Sequence, residues 1–117
     1  MSASACGPNE PLHVATVQLG RSLNSDNSVG TLATRFKPDD TIYVAVLTDR
    51  PGKGTIKARW SYRGSPVSEE EKSVSYNDAA ATEFHIHYPG NAPLGDYRVE
   101  VEVDGMPAAT REFKIER

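Results

Sequence analysis

TIKARWSYR, residues 55–63, alternates without a break: Ile56, Ala58, Trp60 and Tyr62 fall on one side, Lys57, Arg59, Ser61 and Arg63 on the other. A period of two puts successive side chains on opposite faces of an extended chain, so this stretch is a β-strand with one face in a core and one in water. Trp60, the largest side chain on the core side, sits at its centre.

Working outward, the same period recurs in both directions. Residues 12–19, LHVATVQL, begin a first strand closed by Gly20, and the turn-rich RSLNSDNSVG follows as a loop. TLATRF, 31–36, reads as a short strand ended by KPDD. TIYVAVLT, 41–48, is almost continuously β-branched and aromatic, which predicts a strand in the middle of a sheet. After GSP, 64–66, the run VSEEEKSVSY breaks parity, because Val67 falls on the opposite side from Val74 and Tyr76; a bulge or a weak edge strand accommodates this. TEFHIHY turns Phe84, Ile86 and Tyr88 inward, DYRVEVEVDG turns Tyr97, Val99, Val101 and Val103 inward, and TREFKIE buries Phe113 and Ile115. Asp104-Gly105 is a strong hairpin signal.

No segment carries apolar residues at helical spacing over a full helix length, so the chain is all-β. Seven or eight short strands separated by turns imply two packed antiparallel sheets, an immunoglobulin-like antiparallel β-sandwich, with a small barrel as the alternative. APLGDYRVEV supports the sandwich. It resembles the tyrosine corner, in which a tyrosine at the start of a late strand bonds back to the preceding turn; Tyr97 takes that place, two residues before Val99.

At 117 residues one hydrophobic core suffices, and the organisation reads as a flexible tether, 1–11, followed by the sandwich domain, 12–117. Thirteen basic against sixteen acidic residues leave a net charge of -3, which offers no basic footprint for nucleic acid. No apolar run approaches the roughly 18 residues of a membrane-spanning helix, so no transmembrane segment is expected. Cys6 is the single cysteine, which excludes an intramolecular disulfide and a multi-cysteine metal site. It sits in MSASACGP, where small residues precede Cys-Gly as at the processing site of a bacterial lipoprotein precursor, although Ala3 stands where leucine is usual and no charged and apolar leader is present. Cys6 is therefore a candidate lipidation site; an ordinary cytoplasmic N-terminus is the alternative.

The segments TRFKPDDTIYVAVLTD, ARWSYRGSPVSEEE, TEFHIHYPGNAPLGDYRVEVEVDG and REFKI together resemble a group of small exported bacterial proteins, often lipoproteins, built on an immunoglobulin-like sandwich and without an assigned activity. The resemblance spans Val17 to Ile115. It implies an exported, periplasmic or membrane-anchored location in the bacterial envelope, and it supplies no catalytic residue.

Three features could carry chemistry. His85 and His87 project from one face of a strand about 7 Å apart, near enough to share Zn or Cu(II) if a third ligand such as His13 or Glu83 arrives. A solvent-facing pair is the simpler reading. In NSDNS, Asn24, Asp26 and Ser28 alternate as at the start of a calcium loop, but Val29 and Arg35 stand where that loop needs Gly and Glu, so side chains capping their own turn account for it better. EEEK, 69–72, reads as a charged edge that resists strand pairing. No nucleophile motif or carboxylate pairing marks a hydrolase, so no enzyme and no cofactor are expected. The expectation is a non-enzymatic binding or structural module that contacts another protein or an envelope component. Loops 21–31 and 49–54, with Asn24, Asp26, Asn27, Arg50 and Lys53, are its contact surface, placed at one end of the sandwich. A metal-binding domain centred on His85 and His87, and a domain that oligomerises through an edge strand, are the alternatives.

Overall fold

The computed structural model describes residues 9–89 and 92–117. Eight strands follow in order: β1 (Val14–Gly20), β2 (Arg35–Phe36), β3 (Thr41–Thr48), β4 (Gly52–Tyr62), β5 (Ser65–Tyr76), β6 (Ala80–His87), β7 (Gly95–Val103) and β8 (Met106–Ile115). They form a three-stranded sheet, β1-β3-β6, packed on a five-stranded one, β2-β8-β7-β4-β5. Two separate sheets make this an immunoglobulin-like sandwich and not a barrel. Cys6 lies outside the described residues, as does most of the 1–11 segment. Its last residues are tied down: Pro11 bridges Lys53, and the Lys53 N–H donates to Glu10 O at 2.8 Å.

The alternation of residues 55–63 determines the core. Ile56, Ala58 and Trp60 are fully buried, opposite Val103, Val101 and Val99 of β7 in an unbroken antiparallel register. β3 is the central strand of the small sheet and contributes Ile42, Val44 and Val46; β6 adds Phe84 and Ile86. Burying each such side chain stabilises the fold by roughly 1.5–3 kcal/mol. Trp60 packs edge-on against Phe113 at 6.0 Å, and Phe113 meets Phe36 edge-on at 5.5 Å.

Tyr97 makes the expected corner, donating its hydroxyl proton to Pro93 O at 2.6 Å. Its cross-strand partner Tyr62 makes a second one, donating to Leu94 O at 2.8 Å, with the two rings 4.7 Å apart. Successive carbonyls of the connection from β6 are thus held by tyrosines from two neighbouring strands. Burial pushes the Tyr97 hydroxyl up to about 12, with the Tyr88 and Tyr62 hydroxyls adding to it, so Tyr97 stays a neutral donor across the working pH range.

Three local expectations are corrected. Of residues 31–36 only Arg35–Phe36 is a strand, and it runs parallel to β8. The stretch before it crosses between the sheets: the Ala33 N–H donates to Leu19 O of the small sheet, and Thr34 O accepts from the Lys114 N–H of the large one. The first strand begins at Val14, and its register shifts across Ala15. The turn after β4 is Arg63-Gly64, both at positive φ (49° and 86°), one residue earlier than GSP suggests. The parity break at Val67 is a bulge, since Trp60 pairs with Ser68 and Ser61 with Pro66, and β5 is also an edge strand. Asp104-Gly105 forms the expected hairpin, with φ of 51° and 83°.

Loop 21–31 is itself a small hairpin. The Arg21 N–H donates to Thr31 O, Gly30 N–H to Ser22 O and Asn24 N–H to Ser28 O. It folds back over the outer face of the small sheet. The Val29 N–H reaches Gln18 Oε1 at 3.0 Å, and Gln18 pairs with Ala45; Val29 and Ala45 are consequently buried without joining the sandwich core. Gly20 makes room for this, because a Cβ there would overlap the Thr31 carbonyl and the Val29 side chain.

Two stability measurements check this account. Tyr97→Phe should lose roughly 1–3 kcal/mol by leaving Pro93 O without its donor, read as a lower chemical-denaturation midpoint at unchanged slope. Gly20→Ala should cost about 1–3 kcal/mol from overpacking and should deprotect the Val29 amide in hydrogen exchange before the core strands open.

Candidate functional site

β1 and β3 are antiparallel, with Gly20 opposite Tyr43 and Val14 opposite Thr48. Loops 21–31 and 49–54 therefore leave the small sheet at opposite ends, contrary to the expectation that they share one. The fold-back of the 21–31 hairpin reunites them: Asp26 and Ser28 at its tip and Asp49 after β3 line one depression of about 330 Å³, floored by Ala15, Leu47 and Ala79 to Ala81.

The candidate loop residues are engaged within the loops themselves or, in the case of Lys53, with Pro11. Asp26 Oδ1 accepts from the Ser28 N–H at 2.9 Å and the Ser28 hydroxyl at 2.5 Å, and these bonds from Ser28 hold the carboxyl below the usual carboxylate range. Asn24 donates to Ser28 Oγ at 3.0 Å, and Asn27 takes the left-handed position at φ 74°. The polar composition of NSDNS thus serves the turn. Asp49 accepts from His13 Nδ1 at 2.8 Å and from Arg50 Nε at 3.2 Å; the His13 bond is the main cause of its lowered pKa. Lys53 contributes its backbone to the bridge with Pro11.

His85 and His87 are exposed on the outer face of β6, on the free side of the small sheet. His85 Nδ1 lies 3.0 Å from Glu83 Oε1, and its ring is 5.6 Å from that of Tyr43, its cross-strand neighbour. His13 is held by Asp49 beside the far end of β3 and does not join them. Among the described residues no three His, Cys, Asp or Glu side chains gather closely enough to hold a metal ion.

Within EEEK, Glu69, Glu71 and Lys72 have distinct partners. Glu69 and Glu71 face outward beside Lys57, at 3.5 and 3.7 Å, and Arg59 lies 3.4 Å from both Glu69 and Glu102. Lys72 takes the opposite parity and does not belong to the wet face. It reaches from β5 across the open side of the sandwich, donating to Glu83 O at 2.5 Å, with Glu83 Oε2 at 3.3 Å and the Phe84 ring centre at 5.0 Å. On the other side Arg111 of β8 repeats the device. Its Nε donates to Val17 O of β1 at 3.1 Å and its Nη1 to Thr110 O at 2.9 Å, across a groove of about 560 Å³ beside Leu32. Each cation closes one side of the sandwich and occupies a carbonyl on a free edge of the small sheet, where an added strand would otherwise donate. Parity could have revealed both: Lys72 shares a face with Val74 and Tyr76, and Arg111 with Phe113 and Ile115.

No protein-family model matches the chain, and no curated protein matches it. Solved structures do match in fold. An immunoglobulin-like protein from Pseudomonas aeruginosa superposes with a TM-score of 0.59 at 13% identity, covering 91% of this chain and 95% of that one. A β-glucosidase from Listeria innocua matches at 0.55 and 12% identity, over 87% of this chain but 16% of the enzyme. A Pseudomonas fluorescens alkylpurine DNA glycosylase bound to DNA matches at 0.54 and 12% identity, over 86% of this chain and 30% of that one. The same sandwich thus stands alone in the first and forms a small part of the other two; at such identities the likeness is one of fold.

Burial raises the Glu83 pKa, but the bonds from His85 and Lys72 outweigh it and hold the carboxyl below its ordinary value. A depressed folded-state pKa contributes stability above the unfolded value and loses it as pH falls through the folded one. Lys72→Met should therefore cost about 1–2 kcal/mol at pH 7, and the gap to the parent should narrow below about pH 4, leaving the share due to the Glu83 carbonyl. Thermal melts of both proteins from pH 7 to 3 measure this.

Proposed function

We propose that this domain is a non-enzymatic binding module whose contact surface is the depression between the 21–31 hairpin tip and Asp49. One observation carries the reading: two loops that leave the sheet at opposite ends converge on a shallow alanine-floored hollow rimmed by Asp26 and Asp49. The chain commits a folded-back hairpin, with its own buried Val29 and a glycine kept free of a side chain, to building this surface. Loops held on a rigid scaffold are where recognition concentrates. The chemistry suits a protein partner that sets a small apolar side chain on the alanine floor and a lysine or arginine against the acidic rim.

The exported, envelope-located reading belongs to the same proposal. In the full-length form Cys6 is lipidated and anchors the domain to a bacterial membrane. The chain is fixed at Glu10 by the Lys53 N–H, and four residues of extended chain span at most about 14 Å. An anchor at Cys6 thus keeps loop 49–54 close to the bilayer, and the partner is a membrane-proximal envelope protein.

Chemical cross-linking in a bacterial envelope extract, with the domain as bait, tests the contact surface. Ala81→Arg, which sets a long cation on the floor, and Asp49→Lys, which reverses the rim charge, should each abolish the cross-linked species while leaving the melting temperature within about 2 °C, as expected of surface changes. A cross-linked partner retained by both variants would overturn the assignment.

A further inference from the structure

The backbone of β6 has one free side, and the structure shows which residues use it. Glu83 O accepts from Lys72 and so points away from β3. In an antiparallel ladder the residues whose backbone groups face the partner alternate with those whose groups face away. Glu83, His85 and His87 therefore present their N–H and C=O groups outward, while Thr82, Phe84 and Ile86 bond to Val46, Val44 and Ile42. Lys72 occupies the edge at Glu83, and Pro89 has no N–H to offer. Between these two guards lies a short open edge at His85 and His87, the two residues whose imidazoles share the outer face.

We propose that two copies of this chain join along this edge around a zinc ion, with His85 and His87 of each copy as its ligands. An antiparallel edge is self-complementary about a two-fold axis. With that axis at Ile86, His85 lies opposite the partner's His87, and His87 opposite the partner's His85. Directly opposed residues share a face, so all four imidazoles stand on the same side, ~5.5 Å apart across the new ladder and about 7 Å apart along each strand. Zinc takes four nitrogen ligands at roughly 2.0–2.1 Å. One chain supplies two and, among the described residues, no third; two chains supply four.

The surroundings of His85 fit a ligand. Its Nδ1 lies 3.0 Å from Glu83 Oε1, so Nδ1–H donates to the carboxylate and Nε2 is left with a free lone pair, the carboxylate–histidine–metal arrangement in which the carboxylate fixes the tautomer. Lys72 in turn steadies Glu83 at 3.3 Å. Glu83 is a positioning residue and does not touch the metal. The edge is too short to hold two chains by backbone bonds alone, so the metal supplies the missing affinity and the dimer depends on it. This inference concerns the free edge of β6 at His85 and His87, which the loop depression does not include, and stands or falls independently of it.

Sedimentation velocity of the intact chain, with chelator and then with Zn(II) alone, tests the proposal. The expected result is a monomer in chelator and a dimer saturating at one zinc per two chains. The His85 and His87 amides should become protected from hydrogen exchange in the zinc form only. His87→Ala, an exposed substitution that should leave the melt unchanged, should weaken the zinc-dependent association at least 100-fold; Glu83→Gln should weaken it about 10-fold. Zinc bound one per chain without dimerisation, a dimer that persists in His85→Ala/His87→Ala, or association that leaves both amides exchanging freely would each overturn it.

Discussion

The in-register pairing of β4 with β7 is the constraint on which the rest depends. It sets Trp60 opposite Val99 and Tyr62 opposite Tyr97, which stacks the largest buried rings of the large sheet beside Phe113 and gives the small sheet a surface to cover. The same register aims two phenolic hydroxyls at successive carbonyls of the 88–94 connection. A slip of one residue would send Ile56, Ala58 and Trp60 to the solvent face together, so core and corner stand or fall as a unit.

Covering one sheet with another leaves the two sides of the sandwich open, and edge strands there invite further strands. Lys72 and Arg111 meet both problems with one kind of contact. Each lays its aliphatic stem beside the core and places its charge on a backbone carbonyl of the facing sheet. A charge-assisted bond to a carbonyl is stronger than a neutral one and leaves no buried charge unmatched. β5 adds a bulge at Val67 and outward carboxylates to the same end. Beyond Glu83, β6 keeps a stretch of edge without such a guard among the described residues, and that stretch carries the two histidines.

The proposed contact surfaces lie where these constraints are weakest. Charges on the outer face of the large sheet are largely engaged with one another, as Lys57 and Arg59 are with Glu69, Glu71 and Glu102. The small sheet is where the chain spends residues that packing does not require: the back-folded hairpin, the acidic rim and the histidine pair. An immunoglobulin-like scaffold does not by itself prescribe an activity; the surfaces grafted on it do.

Much of the fold was legible in the chain because period-two alternation is a local signal. Residues 55–63, 82–88 and 96–103 each declared their buried face, and Tyr97 declared its corner through its distance from Val99. Tyr62 as a second corner, the cations at inward positions and the parallel β2 were not declared, because each depends on which strands become neighbours. The candidate site was less legible still. The composition of 21–31 announced a turn-rich loop, but only the bond from the Val29 N–H to the Gln18 side chain and the close approach of Val29 to Gly20 decided that it folds back to meet Asp49. Sequence by itself determined most of the strands, their inward faces and the outward pairing of His85 with His87, since these need nothing beyond the geometry of an extended chain. Tertiary structure alone decided which loops share a surface and which edges are closed, because those contacts join residues far apart in the chain, such as Arg111 and Val17, whose meeting no local pattern encodes.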